Sequence, residues 1–130
     1  MALNRKLIDR VNEAFSRGDV EAFLECCADD VRWTMVGEGT FEGKESIRRW
    51  LQSVASGLPR FGDMEVIEAG DRAVVSGEMT MEEDERKYAF CDIYRLRDGR
   101  IIELRSFVVS ADGFEEEYED EDEDEDEDEE

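Results

Sequence analysis

The second half of the chain does most to limit its fold. Residues 63–69, 72–82, 87–96 and 101–110 read as extended segments. They are separated by three short polar breaks at Gly70-Asp71, Glu83-Asp84-Glu85-Arg86 and Arg97-Asp98-Gly99-Arg100. Breaks of this length and composition are tight turns, so the four segments form a meander of antiparallel strands. The first half has a different period. Leu3, Leu7, Val11, Ala14 and Phe15 recur at helical spacing, which predicts a helix over residues 2–17. Gly18 stops that helix, and Asp19 caps a short second one carrying Val20, Phe23, Leu24 and Cys27. Residues 30–36 alternate, with Val31, Trp33 and Met35 on one face and Arg32 and Thr34 on the other. After a turn at Gly37-Glu38-Gly39, a third helix over residues 44–56 turns Ile47, Trp50, Leu51 and Val54 inward and ends at Gly57-Leu58-Pro59. Helices early and a meander late argue an α+β fold, with the helices packed on one face of a curved antiparallel sheet.

Within the third extended segment one residue breaks the pattern. A period of two places Tyr88, Phe90, Asp92, Tyr94 and Leu96 on one face. Four of these are large and apolar or aromatic; the fifth is a carboxylate. Such an acid must be paired, kept protonated or turned toward a pocket, and apolar surroundings raise its pKa. Two readings follow. Asp92 is a pocket acid that binds or polarises a ligand, or it is a buried acid, satisfied by Tyr94 or a backbone amide, that helps to fix the fold.

Charge divides the chain. Its net charge is −22, but residues 114–130 hold 15 of the 38 acids and none of the 16 bases, which leaves −7 for residues 1–113. The expected organisation is one α+β domain over residues 1–113 and a disordered acidic tail over 114–130, where like charges repel and little can be buried. A tail of this kind serves hydration and solubility, or binds basic proteins as an arm. Nucleic-acid binding is disfavoured, because phosphate contact needs clustered Lys and Arg. No apolar run approaches the length of a membrane span, and the start of the chain turns polar too soon for a signal peptide, so the expected location is the cytoplasm. The absence of histidine excludes Ser-His-Asp and Cys-His machinery and His-containing zinc sites. Cys26, Cys27 and Cys91 lack disulfide-framework spacing and read as small buried or half-buried residues. No metal or cofactor is expected.

Phe15-Ser16-Arg17-Gly18-Asp19, Ala28-Asp29-Asp30-Val31, Phe41-Glu42-Gly43-Lys44 and the hairpin over residues 88–109 are weak motifs singly. In this order and spacing, the chain resembles the SnoaL-like and ketosteroid-isomerase-like branch of the nuclear transport factor 2 superfamily. The resemblance implies a cone-shaped α+β roll with three N-terminal helices, an internal apolar pocket and a homodimer formed through the outer sheet face. Ketosteroid isomerases pair a carboxylate base with an oxyanion hole of a Tyr and a protonated Asp. By position, that Asp falls on Asp92, the Tyr on Val11, and the base on Met35, or on Thr34 if the turn differs by one residue. Two of the three positions are lost, so ketosteroid isomerase activity is not expected. Scytalone-dehydratase-like sites need histidine. Epoxide-hydrolase-like sites need an Asp where this chain has Ser106.

The candidate catalytic residue is therefore Asp92. Val11, Trp33, Met35, Trp50, Met79, Phe90, Tyr94, Leu104 and Ser106 are candidate ligand-binding positions, although an apolar stripe serves equally well as core. Glu38, Glu42 and Glu45 are placed near the pocket mouth. The expected function is binding of a small, mostly apolar molecule, with cofactor-free isomerase, lyase or hydrolase chemistry if the protein is an enzyme. The alternative is a non-catalytic dimeric interaction module.

Overall fold

The computed structural model describes residues 2–53, 58–83 and 85–111. Its elements are α1 (Ala2–Arg17), α2 (Val20–Glu25), β1 (Cys27–Met35), β2 (Gly39–Glu42), α3 (Lys44–Ser53), β3 (Pro59–Ala69), β4 (Arg72–Met81), β5 (Lys87–Arg97) and β6 (Arg100–Ser110). The expected positions of Val54 and Gly57 at the end of the third helix, and the acidic segment 114–130, lie outside the described residues.

Leu7, Ile8, Val11 and Ala14 bury one face of α1. Its solvent face carries the ion pairs Arg5–Asp9 and Glu13–Arg17 at i,i+4 spacing. The helix stops at Gly18, which takes φ +69°. There the Gly18 amide donates to the Phe15 carbonyl and the Asp19 amide to the Ala14 carbonyl. This Schellman closure satisfies two carbonyls that the last helical turn leaves open. One residue later the Asp19 carboxylate accepts from the Ala22 amide and starts α2.

The strands form one curved sheet in the order β2-β1-β6-β5-β4-β3. All neighbouring pairs are antiparallel except β1 and β6, which run parallel. The expectation of a wholly antiparallel sheet is corrected accordingly to a mixed one. The reason is connectivity: no hairpin joins β1 to β6, so the open edge of β6 can receive β1 in either direction. Strand β2 was not expected. It is four residues long, too short for a period to show, and is held by pairing of Phe41 with Trp33 and Thr40 with Thr34. β1 begins at Cys27, earlier than the alternation suggests, because Cys27 pairs with Ile101. β3 begins at Pro59, and as an edge strand it tolerates a residue without an N–H.

A register shift between Phe61 and Met64 bends β3. Gly77 on β4 permits the close approach there, since a Cβ at that position would lie 2.7 Å from the Asp63 carbonyl oxygen. The helices cover the inner face of the sheet, where Ala73, Val75, Tyr94, Leu96, Ile101 and Leu104 join Leu7, Ile8, Val11, Phe23 and Ile47 in one core. On the outer face Ile67, Phe107 and Val109 are exposed. No helix among the described residues is long and apolar enough to cross a membrane.

Candidate functional site

The helices do not cover the whole inner face. A cavity of about 360 Å³ remains between the end of α1, α2, α3 and the strands β1, β3, β4, β5 and β6. This lies at the lower end of the roughly 300–1,000 Å³ of small-molecule sites. Trp33, Met35, Trp50, Met79, Phe90, Asp92 and Ser106 form part of its wall. Val11, Tyr94 and Leu104, expected at the pocket, do not. Each has 0% exposure and belongs to the packed core beside it. Tyr94 and Leu104 share a sheet face with wall residues but lie where the helices pack, and Val11 on α1 is part of that packing.

Sequence reasoning missed Phe15, Phe23, Leu51, Phe61 and Val108, which also line the cavity. Val108 lies two residues beyond Ser106 on β6, so alternation alone could have found it. Phe61 precedes the expected start of its strand and could not be placed. The rim is marked by exposed Gly18, Asp19, Leu58 and Val108. Glu38, Glu42 and Glu45 are not on the wall; Glu42 pairs with Arg32 and Glu45 with Arg48.

Aromatic rings give the cavity much of its surface. Trp33 meets Trp50 edge-on at 5.1 Å between centroids, Phe23 at 5.4 Å and Phe15 at 6.0 Å. Across the cavity Phe61 meets Phe90 edge-on at 5.7 Å. Phe41 stacks behind Trp50 at 4.5 Å and fixes its plane.

Two polar groups, buried Ser106 and half-buried Asp92, interrupt this surface. The Trp33 indole Nε1–H donates to the Ser106 hydroxyl oxygen at 2.9 Å. Ser106, 1% exposed, stands opposite Asp92 in the β5–β6 ladder and hydrogen-bonds its carboxylate. The direction of the relay is set by the first member. Indole can only donate, so the serine oxygen accepts and its O–H is left to donate to Asp92. Ser106 is thus a neighbour that supports the Asp92 carboxylate without satisfying it, and the Tyr94 hydroxyl has no partner among the described residues.

Burial nevertheless dominates. Removing water from the charged form pushes the Asp92 pKa up to about 6 from 3.8, and the bond from Ser106 offsets this only in part. Tyr94, two residues on, is raised well above its usual value by burial and by the nearby acid. Its hydroxyl has no hydrogen-bond partner among the described residues.

The other candidate chemistries find no support in the geometry. Thr34, the alternative position for a base, lies on the opposite sheet face and bonds Thr40. Met35 occupies the cavity wall in its place. The Cys26 and Cys27 thiols are buried and donate to carbonyls one helical turn back; burial pushes Cys27 up to about 12, where it is inert as a nucleophile. No group of three or more metal-ligating side chains is clustered among the described residues.

A curved sheet with helices on its inner face and a cavity between them defines the nuclear transport factor 2-like class of α+β proteins. Within that class, the chain belongs to the SnoaL-like domain family, which residues 8–104 match. A protein of this class from Burkholderia pseudomallei, itself of unknown function, is 27% identical with a TM-score of 0.73, covering 82% of this chain and 90% of that one. TerC, crystallised with polyporic acid, is 24% identical with a TM-score of 0.72 over 88% of this chain and 96% of its own. An LEH-like epoxide hydrolase from M. tuberculosis is 14% identical with a TM-score of 0.67, covering 83% of this chain and 84% of that one. No curated protein matches the chain.

Proposed function

We propose that this protein binds a small, mostly apolar molecule in the cavity, with Asp92 and Ser106 as the polar end of the site. One observation carries the reading: Asp92 opens into an aromatic cavity, with Ser106 as its hydrogen-bond partner among the described residues. An acid kept for structure alone would be fully paired. This one is raised in pKa, which means that its ionised form destabilises the fold. That TerC, of the same fold, was crystallised with polyporic acid supports the reading by analogy of fold.

Cofactor-free isomerase, lyase or hydrolase chemistry in this cavity would rest on Asp92. The other acid on the described wall, Asp19, sits at the rim, caps α2 and pairs with Arg17. With a pKa of about 6, Asp92 populates both protonation states near neutrality and can donate to a developing oxyanion or accept a proton.

The test is to purify the protein, identify co-purifying small molecules by mass spectrometry, and screen thermal shifts against lipophilic compounds, carbonyl compounds among them. A ligand is expected to raise the melting temperature of the wild type and to lose that effect in Met35→Trp, which fills the cavity. The reading fails if no compound stabilises the wild type, or if stabilisation survives in the filled variant.

A second reading has its own observation. Exposed Ile67, Phe107 and Val109 on the outer sheet face favour pairing with a second copy of the chain. Sedimentation of the wild type and Val109→Asp tests it, the homodimer being expected only for the former.

A further inference from the structure

We propose that the cavity selects a cationic amine on an aromatic or lipophilic skeleton, with its ammonium seated against the Asp92 carboxylate and its skeleton against the rings around Trp33. The proposal rests on the cavity being the binding site and adds the charge class of what binds there.

The argument begins with what the wall lacks. Its described residues include two carboxylates, Asp19 and Asp92, and neither Lys nor Arg. Asp19 at the rim is already committed to the Ala22 amide and to Arg17 at 3.4 Å. Among the described residues Asp92 has Ser106 as its one hydrogen-bond partner, and a carboxylate offers about four acceptor sites. The serine hydroxyl cannot supply the missing charge. An ionised carboxylate inside apolar walls therefore faces a cavity that can hold the compensating group only in a ligand.

The candidate polar groups then separate. A carboxylate or phosphate on the ligand would meet Asp92 and Asp19 with like charge and find no cationic side chain on the described wall. A ketone could accept from the Asn12 amide on the wall, but beside Asp92 it would need that acid protonated, which becomes unfavourable above pH 6. An alcohol donates one hydrogen bond without compensating the charge. An ammonium brings up to three donors and the opposite charge at once. The rings strengthen this order, since the faces of Trp33, Trp50, Phe15 and Phe23 attract a cation and repel an anion.

Asp92 sets the pH response, as its neighbours show. β4 presents Val75 opposite it, β6 presents Ser106, and β1 contributes Trp33 and Met35 to the wall. α1 contributes Asn12 and Phe15, α2 Asp19 and Phe23, α3 Trp50 and Leu51, and β3 Phe61. Phe90 and Tyr94 flank Asp92 on its own strand. Of these only Asp19 and Tyr94 also titrate, and Tyr94 stays neutral because burial raises it far above its ordinary value.

Titration calorimetry tests the proposal with one skeleton carrying four polar groups: naphthylmethylamine, naphthylmethanol, acetonaphthone and naphthoic acid. The full chain is used in about 0.5 M NaCl to screen the acidic segment 114–130. At pH 8 the amine is expected to bind at least about tenfold more tightly than the alcohol, and the acid most weakly. At pH 5, where Asp92 is largely protonated, that advantage should fall by about tenfold. Asp92→Asn should abolish it at both pH values, and the wild-type pH profile decides the matter if that variant does not fold. If the alcohol or ketone matches the amine at pH 8, or the advantage ignores pH, the proposal is overturned while the cavity reading stands. Binding by none of the four overturns the proposal, and the cavity reading as well if the broader thermal-shift screen is also empty.

Discussion

Asp92 and Tyr94 lie two residues apart on the same face of β5, yet they meet opposite conditions. Tyr94 is fully enclosed between Ala73 on one neighbouring strand and Leu104 on the other. Asp92 lies between Val75 and Ser106 and remains partly open to the cavity. Burial raises the pKa of both, but with different consequences. A phenol ordinarily titrates near pH 10 and stays neutral, so its shift has no effect at physiological pH. A carboxylate shifted to about 6 must either charge at a cost or hold a proton. One end of the face is built for packing and the other keeps a polar group at the expense of stability, as functional sites do.

Deleting side chains at the two ends should separate them most. Leu104→Ala, in the packed end, is expected to cost about 2–5 kcal/mol, whereas Val108→Ala on the cavity rim should cost under about 1 kcal/mol. Chemical denaturation of both variants measures this, and equal losses would break the comparison.

The next effect has the opposite sign. Between pH 3.8 and about 6 the folded chain holds the Asp92 proton while the unfolded chain releases it. Stability from this group is therefore highest below pH 4 and declines as pH rises to 6. Asp92→Asn should stabilise the protein by up to about 3 kcal/mol at pH 8 and have little effect on this account at pH 4. Denaturation curves for wild type and variant at both pH values provide the check. A variant less stable at pH 8 would make Asp92 a structural acid.

Ser106→Ala is expected to cost about 1–3 kcal/mol, because it leaves the Trp33 indole N–H without its acceptor. It also removes the donor to Asp92, so the carboxyl should titrate still higher than in the wild type, as carbon-detected NMR of the side chain would show. An unchanged titration would mean that the relay stops at the serine. Smallest is Tyr94→Phe. Its hydroxyl is buried without a partner among the described residues, so its removal should be neutral or stabilise by about 1 kcal/mol in thermal melts.

Much of this frame was legible beforehand. The period of two over residues 88–96 put Asp92 on an apolar face, and the expectation that its pKa would rise agrees with its burial. The Schellman glycine and the capping aspartate were readable because those signals are local. The Trp33–Ser106 bond was not, because it joins residues 73 apart through the parallel pairing of β1 with β6. The same pairing upset the antiparallel expectation. Val11, Tyr94 and Leu104 fall in the core rather than on the cavity wall for a related reason: nothing in an apolar stripe tells which of its positions packing will seal.

The sequence by itself determined which residues share a face, where the main turns fall and that one face carries an unpaired-looking acid. Those properties follow from backbone periods and turn chemistry acting over a few residues. Only the tertiary structure decided which part of that face is sealed and which is left open, and that Ser106 and Trp33 stand beside Asp92. Those outcomes depend on how far the helices extend across the curved sheet and on which distant strand fills its free edge. Both are set by packing of the whole chain rather than by any segment.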